Sequence, residues 1–428
     1  MPAKKSKRAT STESRGYGLV FLILLTIWLA IMATRWANAP VLRWPDFLPL
    51  FWLAFSVLST RVLLRAADFR GDQLLPPLVM LLYGCGLLVQ FRLGNLVLDD
   101  WTRPAAGIYP LGWFAFISLW LVMRKGRYAI LADSALPALL LALAVLAVIL
   151  VFGQRFRGAM FLAGQVNPAE VVKLLLAIFM AGVLADFKKP LQQTVAGIPA
   201  PPLKSILTIG VLWAMPMALL IAQRDLGMFM LLNIVFLLLL FTSTGKWGYL
   251  VVGSGLSAVV GYVGFTWFAH AGRRLAGWLD PFADPTGGGW QILQALSAMF
   301  TGGLWGTGFG GGAPAVIPVA ASDFVYALWA EELGFTGCVL LIAMYAILFY
   351  RGFAIADGLK QPFAQTLAAA LVMLLAVQTV INIGGVIKAL PLTGITLPLI
   401  SQGGSSLVTT MAMLGLLMAL SEPSGKKR

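Results

Sequence analysis

Charged residues are scarce in this 428-residue chain, at 11%, where soluble globular proteins carry about 25%. That shortage excludes a soluble globular enzyme and a soluble nucleic-acid module. Histidine is scarcer still. With His270 alone, a His-ligated metal site or a Ser/His/Asp triad is hard to build. The two cysteines, Cys85 and Cys338, both lie in apolar runs, which offers neither a disulfide framework nor a metal cluster. Acidic residues are the minority charge, 17 against 31 Lys and Arg, for a net charge of +14. In a soluble protein that excess would point to a polyanion partner. In a chain that is 59% hydrophobic it points to topology, because membrane proteins concentrate Lys and Arg in cytoplasmic loops. The composition is that of an all-α, polytopic integral membrane protein whose surroundings are a lipid bilayer, with no nucleic acid as partner.

A spanning helix needs about 20 mostly apolar residues. Windows of that length predict about twelve transmembrane helices, at 17–34, 46–64, 74–91, 107–123, 136–152, 168–187, 205–222, 226–242, 248–268, 323–350, 364–386 and 405–420. With the N-terminus inside, twenty Lys and Arg fall in inner segments and ten in outer ones, while Lys173 lies within a span. This asymmetry predicts that both termini are cytoplasmic. Residues 1–15 are basic and rich in Ser and Thr, a composition expected to give a disordered cytoplasmic tail, and 423–428 form a second basic tail. Between them, 16–422 reads as a single transmembrane domain. The first apolar stretch followed by Ala37-Asn38-Ala39 has the outline of a signal peptide. It is long enough to span, and Pro40 disfavours cleavage, so it is read as a helix.

One long segment separates two spans, about 269–322, placed outside by this map. It contains Arg273 and Arg274, an Asp280-Pro281 to Asp284-Pro285 stretch, two glycine runs and the aromatics Trp278, Phe282, Trp290 and Trp305. Long loops are usually functional or disordered. The aromatics argue for order against the bilayer interface, and 290–300 is expected to be a short interfacial or re-entrant helix.

Several motifs each carry two readings. Gly306-Thr307-Gly308-Phe309-Gly310-Gly311 fits the letters of a dinucleotide-binding loop, but that motif has meaning only inside a βαβ unit. Here the glycines are expected to allow close backbone approach. Ionisable residues inside spans are functional candidates by default. Glu170 and Lys173 are three apart on one helix face, either as a structural ion pair or as a pair presenting a cation inward. Asp225 is either a helix cap or part of a site. Asp323 and Glu331 are eight apart, about 80° around a helix, and with Glu332 are expected to line the start of the tenth span. Asp284 and Asp280, beside prolines and glycines, read as turn aspartates that cap local N–H groups or as chemistry on the loop. His270 receives no role. Finally, the stretch from Asn382 to Ser406, rich in proline and glycine, presents hydroxyls at a helix start. Free N–H donors there suit an anion such as a phosphate.

At this point the residues resemble a known family. Asn382-Ile383-Gly384 followed by Leu390-Pro391-Leu392-Thr393-Gly394-Ile395-Thr396-Leu397-Pro398-Leu399-Ile400-Ser401-Gln402-Gly403-Gly404-Ser405-Ser406 is similar to the signature of the SEDS family, which includes RodA and FtsW. Four other blocks fall in family order: Asn167 to Lys173, Gln223 to Gly227, Asp284 to Gln291, and Ser322 to Gly334. The resemblance covers about 153–420 and implies a SEDS-type core in 153–422, preceded by the N-terminal helices of 16–152; the family usually has ten spans against the twelve predicted here, and the surplus lies before residue 153. The two surplus helices match the longer actinobacterial-type members. Departures are Gly158 for a Trp, Asn167 for Gln, Arg224 for Pro and Ala321 for His.

The resemblance implies a peptidoglycan glycosyltransferase in the bacterial cytoplasmic membrane, with lipid II as donor and acceptor. Asp284 matches the family's loop aspartate and would be the catalytic base. Arg157, Lys173, Arg273 and Arg274 would face the pyrophosphate, with Ser405 and Ser406 at a helix start. Glu170, Gln291 and Asp323 complete the implied substrate-binding set. A divalent cation, Mg2+ or Mn2+, would suit a pyrophosphate leaving group, but no acidic cluster in the sequence specifies a site for one. A class B penicillin-binding protein is the implied partner, since the chain has no transpeptidase motif. The alternatives are a flippase for polyprenyl-linked lipids, which also suits charged residues in glycine-broken spans, and a non-catalytic scaffold of the cell-wall machinery.

Overall fold

The computed structural model describes residues 17–34, 44–95, 105–156, 159–161, 167–195, 198–199, 201–267 and 269–423. The expected tail at 1–15, the Ala37-Asn38-Ala39 site, Arg157 and residues 424–428 lie outside the described residues.

The described chain is helical apart from two minimal antiparallel ladders. These pair β1 (Gln154–Phe156) with β2 (Ala159–Phe161), and β3 (Thr194–Val195) with β4 (Ile198–Pro199). Helices stand at all twelve predicted positions. Among the described residues, ten are long and apolar enough to cross a membrane, so the protein is a multi-pass membrane protein. The other two positions hold α4 (Ala105–Met123), apolar over the 17-residue stretch Gly107–Met123, and α6 (Ala169–Asp186), which carries Glu170, Lys173 and Asp186. Proline opens several of these helices, as Pro49, Pro76 and Pro362 do, because a first-turn residue has no intrahelical N–H partner to lose.

By its internal contacts the chain forms two compact units. The first comprises Met1–Gly126, Leu293–Arg351 and Thr396–Arg428. It contains α1 (Tyr17–Thr34), α2 (Leu48–Ala66), α3 (Leu75–Arg92), α4 and α15 (Gly404–Ser421). α4 and α15 pack so closely that a side-chain carbon at Gly415 would overlap the Phe116 carbonyl. α3 is buried nearly all round, as expected of a helix that is apolar on every face. Its Tyr83 hydroxyl accepts from Trp52 Nε1 at 2.7 Å and donates to the Tyr109 carbonyl at 2.8 Å.

The tenth predicted span departs from expectation. α13 (Val325–Gly358) is two helices meeting at Gly334, whose φ of 67° and ψ of −168° break the ladder. The N–H groups freed beyond the break find partners in a neighbouring turn: Phe335 N donates to Gly303 O at 2.8 Å and Thr336 N to Leu304 O at 3.1 Å. The helix starts at Val325, so Asp323 lies in the preceding turn. The expected 80° relation between Asp323 and Glu331 around one helix therefore does not hold.

The second unit comprises Arg127–Ile292 and Gly352–Ile395. Its helices are α5 (Ala135–Phe152), α6, a single turn α7 (Lys188–Leu191), α8 (Leu203–Ala222), α9 (Leu226–Thr244), α10 (Trp247–Trp267), α11 (Ala269–Leu279) and α14 (Pro362–Val386). α6 lies between α5 and α14, and a side-chain carbon at Gly182 would press on Ala135. Trp213 of α8 stacks on Phe236 of α9 with ring centroids 4.4 Å apart. α10 leaves its apolar residues exposed, Val251, Leu256 and Tyr262 among them. The predicted short helix at 290–300 is present as α12 (Trp290–Gly302). α11 departs from the sequence expectation, which makes 269–279 part of the loop.

Candidate active site

The site residues of the second unit begin with α11. It carries Leu275, Trp278 and Leu279 at helical spacing. Arg274 Nη1 donates to the Thr393 carbonyl at 2.9 Å, and Trp278 Nε1 to the Lys388 carbonyl at 3.1 Å. Arg273, one position away, is exposed.

Beyond α11 the chain turns twice. Asp280 Oδ1 accepts from Phe282 N at 3.1 Å. Asp284 then folds back over the glycine run: Oδ1 accepts from Gly287 N at 3.1 Å and Oδ2 from Gly288 N at 2.7 Å. Proline after the aspartate and three glycines after that permit so tight a turn. A side-chain carbon at Gly289 would overlap the Pro281 carbonyl, so the loop closes backbone on backbone. The Asp284 carboxylate is exposed. Two N–H donors occupy two of its roughly four acceptor sites and leave the others open to an incoming hydroxyl. Gln291 lies in the first turn of α12 and is half-buried.

A second cluster is buried. Lys173 is 1% exposed and Glu170 9%, and the two form an ion pair. Lys173 Nζ also donates to Gln378 Oε1 on α14 at 2.7 Å. Asn167 Oδ1 accepts from Ala169 N at 3.0 Å, ordering the start of α6. Asp225 caps α9, accepting from Met228 N at 3.0 Å. Burial pushes the Asp225 carboxyl above its ordinary range. The Met228 N–H and the charges of Lys173 and Arg274 oppose that rise, and Glu170 reinforces it. Glu170, Lys173, Asp225 and Arg274 thus form one electrostatically coupled group. The loop after α14 closes it: Gly227 lies against the Thr393 carbonyl and Ile395, and Asn382 Nδ2 donates to Ile395 O at 2.7 Å.

The remaining expected residues belong to the first unit. Ser322 Oγ donates to Asp323 Oδ1 at 3.1 Å, and Ser401 Oγ donates to Ser322 O at 2.6 Å. Ser405 and Ser406 open α15, where Ser406 Oγ lies 2.8 Å from Thr396 Oγ1. Glu331 and Glu332 hold the second glycine run. Ala313 N donates to Glu331 Oε2 at 3.2 Å and Gly310 N to Glu332 Oε2 at 3.0 Å. Arg92 bonds Glu332 Oε1 at 3.1 Å and the carbonyls of Gly310 and Gly312 at 2.8 and 3.0 Å. Gly306, Gly308 and Gly310 all have positive φ, so the run is a backbone clasp. Among the described residues no three His, Cys, Asp or Glu are grouped to hold a metal ion.

Sequence reasoning names Trp278 only as an interfacial aromatic and Glu332 only as lining a span, and it does not single out Gln378 or Arg92. Gln378 had a signal: it is a polar residue inside an apolar span, four positions before Asn382 on the same face. In the sequence Arg92 reads only as a topology charge.

The chain is thus a multi-pass membrane protein with an exposed, backbone-held carboxylate on a loop, in the same unit as a buried ion pair among apolar helices. Residues 74–426 match the cell cycle protein family of FtsW, RodA and SpoVE, and the chain belongs to that family. The match begins just before α3, leaving α1 and α2 ahead of it. The chain is 33% identical over 389 residues to peptidoglycan glycosyltransferase RodA of Mycobacterium tuberculosis (strain ATCC 25618 / H37Rv), covering 87% of this chain and 82% of that one. It is 32% identical over 266 residues to stage V sporulation protein E of Bacillus subtilis (strain 168), covering 60% and 68%. Among solved structures, a chain from a peptidoglycan synthase complex that coordinates polymerization and crosslinking superposes with a TM-score of 0.65 at 27% identity, covering 82% of this chain and 98% of that one. The rod shape determining protein RodA of Thermus thermophilus gives 0.58 at 25% identity, covering 82% and 97%.

Proposed function

We propose that this chain, a peptidoglycan glycosyltransferase by family, polymerises lipid II at the outer face of the bacterial cytoplasmic membrane with Asp284 as general base. The observation that carries the reading is the state of Asp284: exposed, held by Gly287 and Gly288 N–H groups, with acceptor capacity to spare. The acceptor's GlcNAc 4-hydroxyl attacks the anomeric carbon of the donor sugar and gives its proton to the Asp284 carboxylate. A carbon–oxygen bond forms on one face as the bond to undecaprenyl pyrophosphate breaks on the other. An α-linked donor therefore yields a β-1,4 product with inversion.

Negative charge builds on the departing pyrophosphate, and preorganised cations lower the barrier there. Arg273 is exposed one position before Arg274, which suits it to that role. Lys173, buried beside Glu170, and the half-buried Arg274 act with it, and Arg157 is assigned the same task from the sequence. Gln291, Asp323, Ser405 and Ser406 are assigned to substrate contact. The twenty-to-ten division of basic residues supports an orientation with both termini in the cytoplasm. The partner is a class B penicillin-binding protein, as the resemblance of this chain to a member of a solved peptidoglycan synthase complex supports.

The test is polymerisation of labelled lipid II by purified protein, with and without Asp284→Ala. Glycan polymer from the wild type and none from the variant is expected. Absence of polymer from the wild type, under conditions where a known family member makes it, would remove the enzymatic reading and leave lipid transport or scaffolding. Normal polymer from Asp284→Ala would remove the base assignment.

A further inference from the structure

At eleven residues, α11 is too short to hold itself by helix propensity. Two side-chain bonds from α11 end on backbone carbonyls of the connector after α14, from Trp278 to Lys388 and from Arg274 to Thr393. That connector is itself fixed. Leu390 N donates to Gly384 O at 2.9 Å, Asn382 Nδ2 donates to Ile395 O at 2.7 Å, and Lys388 has a φ of 60°.

On its other side α11 meets the carboxylate loop backbone to backbone. A side-chain carbon at Gly277 would overlap the Gly288 carbonyl and come within 3.3 Å of Gly289 N. Gly288 N is also the donor that holds Asp284 Oδ2, at 2.7 Å. The path from the Lys388 carbonyl to the carboxylate therefore runs through Trp278, Gly277 and Gly288. No flexible side chain stands between Gly277 and Asp284.

We propose that Trp278 and Gly277 are positioning residues for glycosyl transfer. Trp278 pins α11 to the connector, and Gly277 seats the loop so that Gly288 N aims the Asp284 carboxylate. The inference rests on the reading of Asp284 as the base. Neither residue is assigned a contact with substrate. Misaiming a base is felt in the transition state and not in ground-state binding, so the effect belongs in kcat. Displacements near 1 Å can cost on the order of 10²-fold.

The experiment measures kcat and KM for labelled lipid II with Trp278→Phe, which keeps a ring and removes the N–H, and with Gly277→Ala. Amide exchange at Gly287 and Gly288 is followed in parallel on the full-length protein. Trp278→Phe is expected to lower kcat about 10-fold and Gly277→Ala about 10²-fold. KM should change less than about 2-fold, and exchange should quicken at Gly287 and Gly288 but not in the spans. If Gly277→Ala fails to fold, Trp278→Phe carries the test alone. Wild-type kcat in Trp278→Phe, or a loss expressed only in KM, overturns the positioning role while Asp284→Ala remains inactive. An Asp284→Ala variant with normal activity overturns the base assignment, and the positioning role with it.

Discussion

Lys173 of α6 and Gln378 of α14 are joined by a hydrogen bond of 2.7 Å, and the same ammonium is ion-paired with Glu170. One buried cation thus ties two helices together. These two partners are unequal: Gln378 satisfies a donor, and Glu170 brings a counter-charge into direct contact.

This inequality predicts an asymmetric response to mutation. Glu170→Ala leaves the buried ammonium without its direct ion-pair partner and should cost about 3–5 kcal/mol. The pair Glu170→Gln with Lys173→Met removes both charges and should recover most of that loss. Thermal unfolding of the purified protein in detergent separates the cases, and equal midpoints for the single and double variants would contradict the argument.

Asp284 should behave in the opposite way. The side chain is exposed, so its replacement should change stability by less than about 0.5 kcal/mol. Loss of a general base should lower polymerisation at least about 10²-fold. Asp284→Asn still offers one oxygen to Gly287 or Gly288, so it should be as inactive as Asp284→Ala while retaining more amide protection in the loop. Full activity in Asp284→Asn would show that no proton is accepted there.

At Asp225 the cap and the charge can be separated. Asn accepts from Met228 N as Asp does, so Asp225→Asn keeps the cap, and Asp225→Ala loses it at about 1 kcal/mol. The folded carboxyl is raised above its ordinary range, first by burial. Stability from its protonated form is therefore fully present below the unfolded value of about 3.9 and is lost as pH rises through the folded value. Relative to Asp225→Asn, the wild type should be most stable at low pH and lose ground on going to neutral. A pH-independent difference in midpoint between the two would refute the assignment.

Gly334 is a backbone requirement. Its φ of 67° and ψ of −168° lie where only glycine is comfortable, and a side-chain carbon would meet Gly306 N. Gly334→Ala should cost at least about 1–3 kcal/mol and weaken the bonds from Phe335 and Thr336 to Gly303 and Leu304. Unaltered exchange at the Phe335 and Thr336 amides would show that the kink survives without glycine.

Much of the molecule was legible in the order of its residues, for reasons visible at particular positions. Apolar runs placed helices at all twelve predicted positions because a bilayer forces backbone groups to bond within their own segment. The only charges in α6 include Glu170 and Lys173, and three-residue spacing alone put them on one face. Asp225 could be read as a helix cap because it immediately precedes an apolar run. α11 was not legible: eleven residues with arginines and a tryptophan look like an interfacial loop until the connector supplies carbonyls for Trp278 and Arg274. Gln378 was passed over because nothing local shows that Lys173, 205 positions earlier, will need its oxygen.

By itself the sequence determined the membrane class, the helices and the short stock of chemically useful side chains, since these follow from local hydropathy and the cost of burying charge. Only the tertiary structure decided which backbone carbonyls hold α11, which N–H groups hold Asp284, and that Glu332 grips a glycine clasp with Arg92. Those pairings join positions far apart in the chain, and a buried polar group takes the partner that packing brings within about 3 Å.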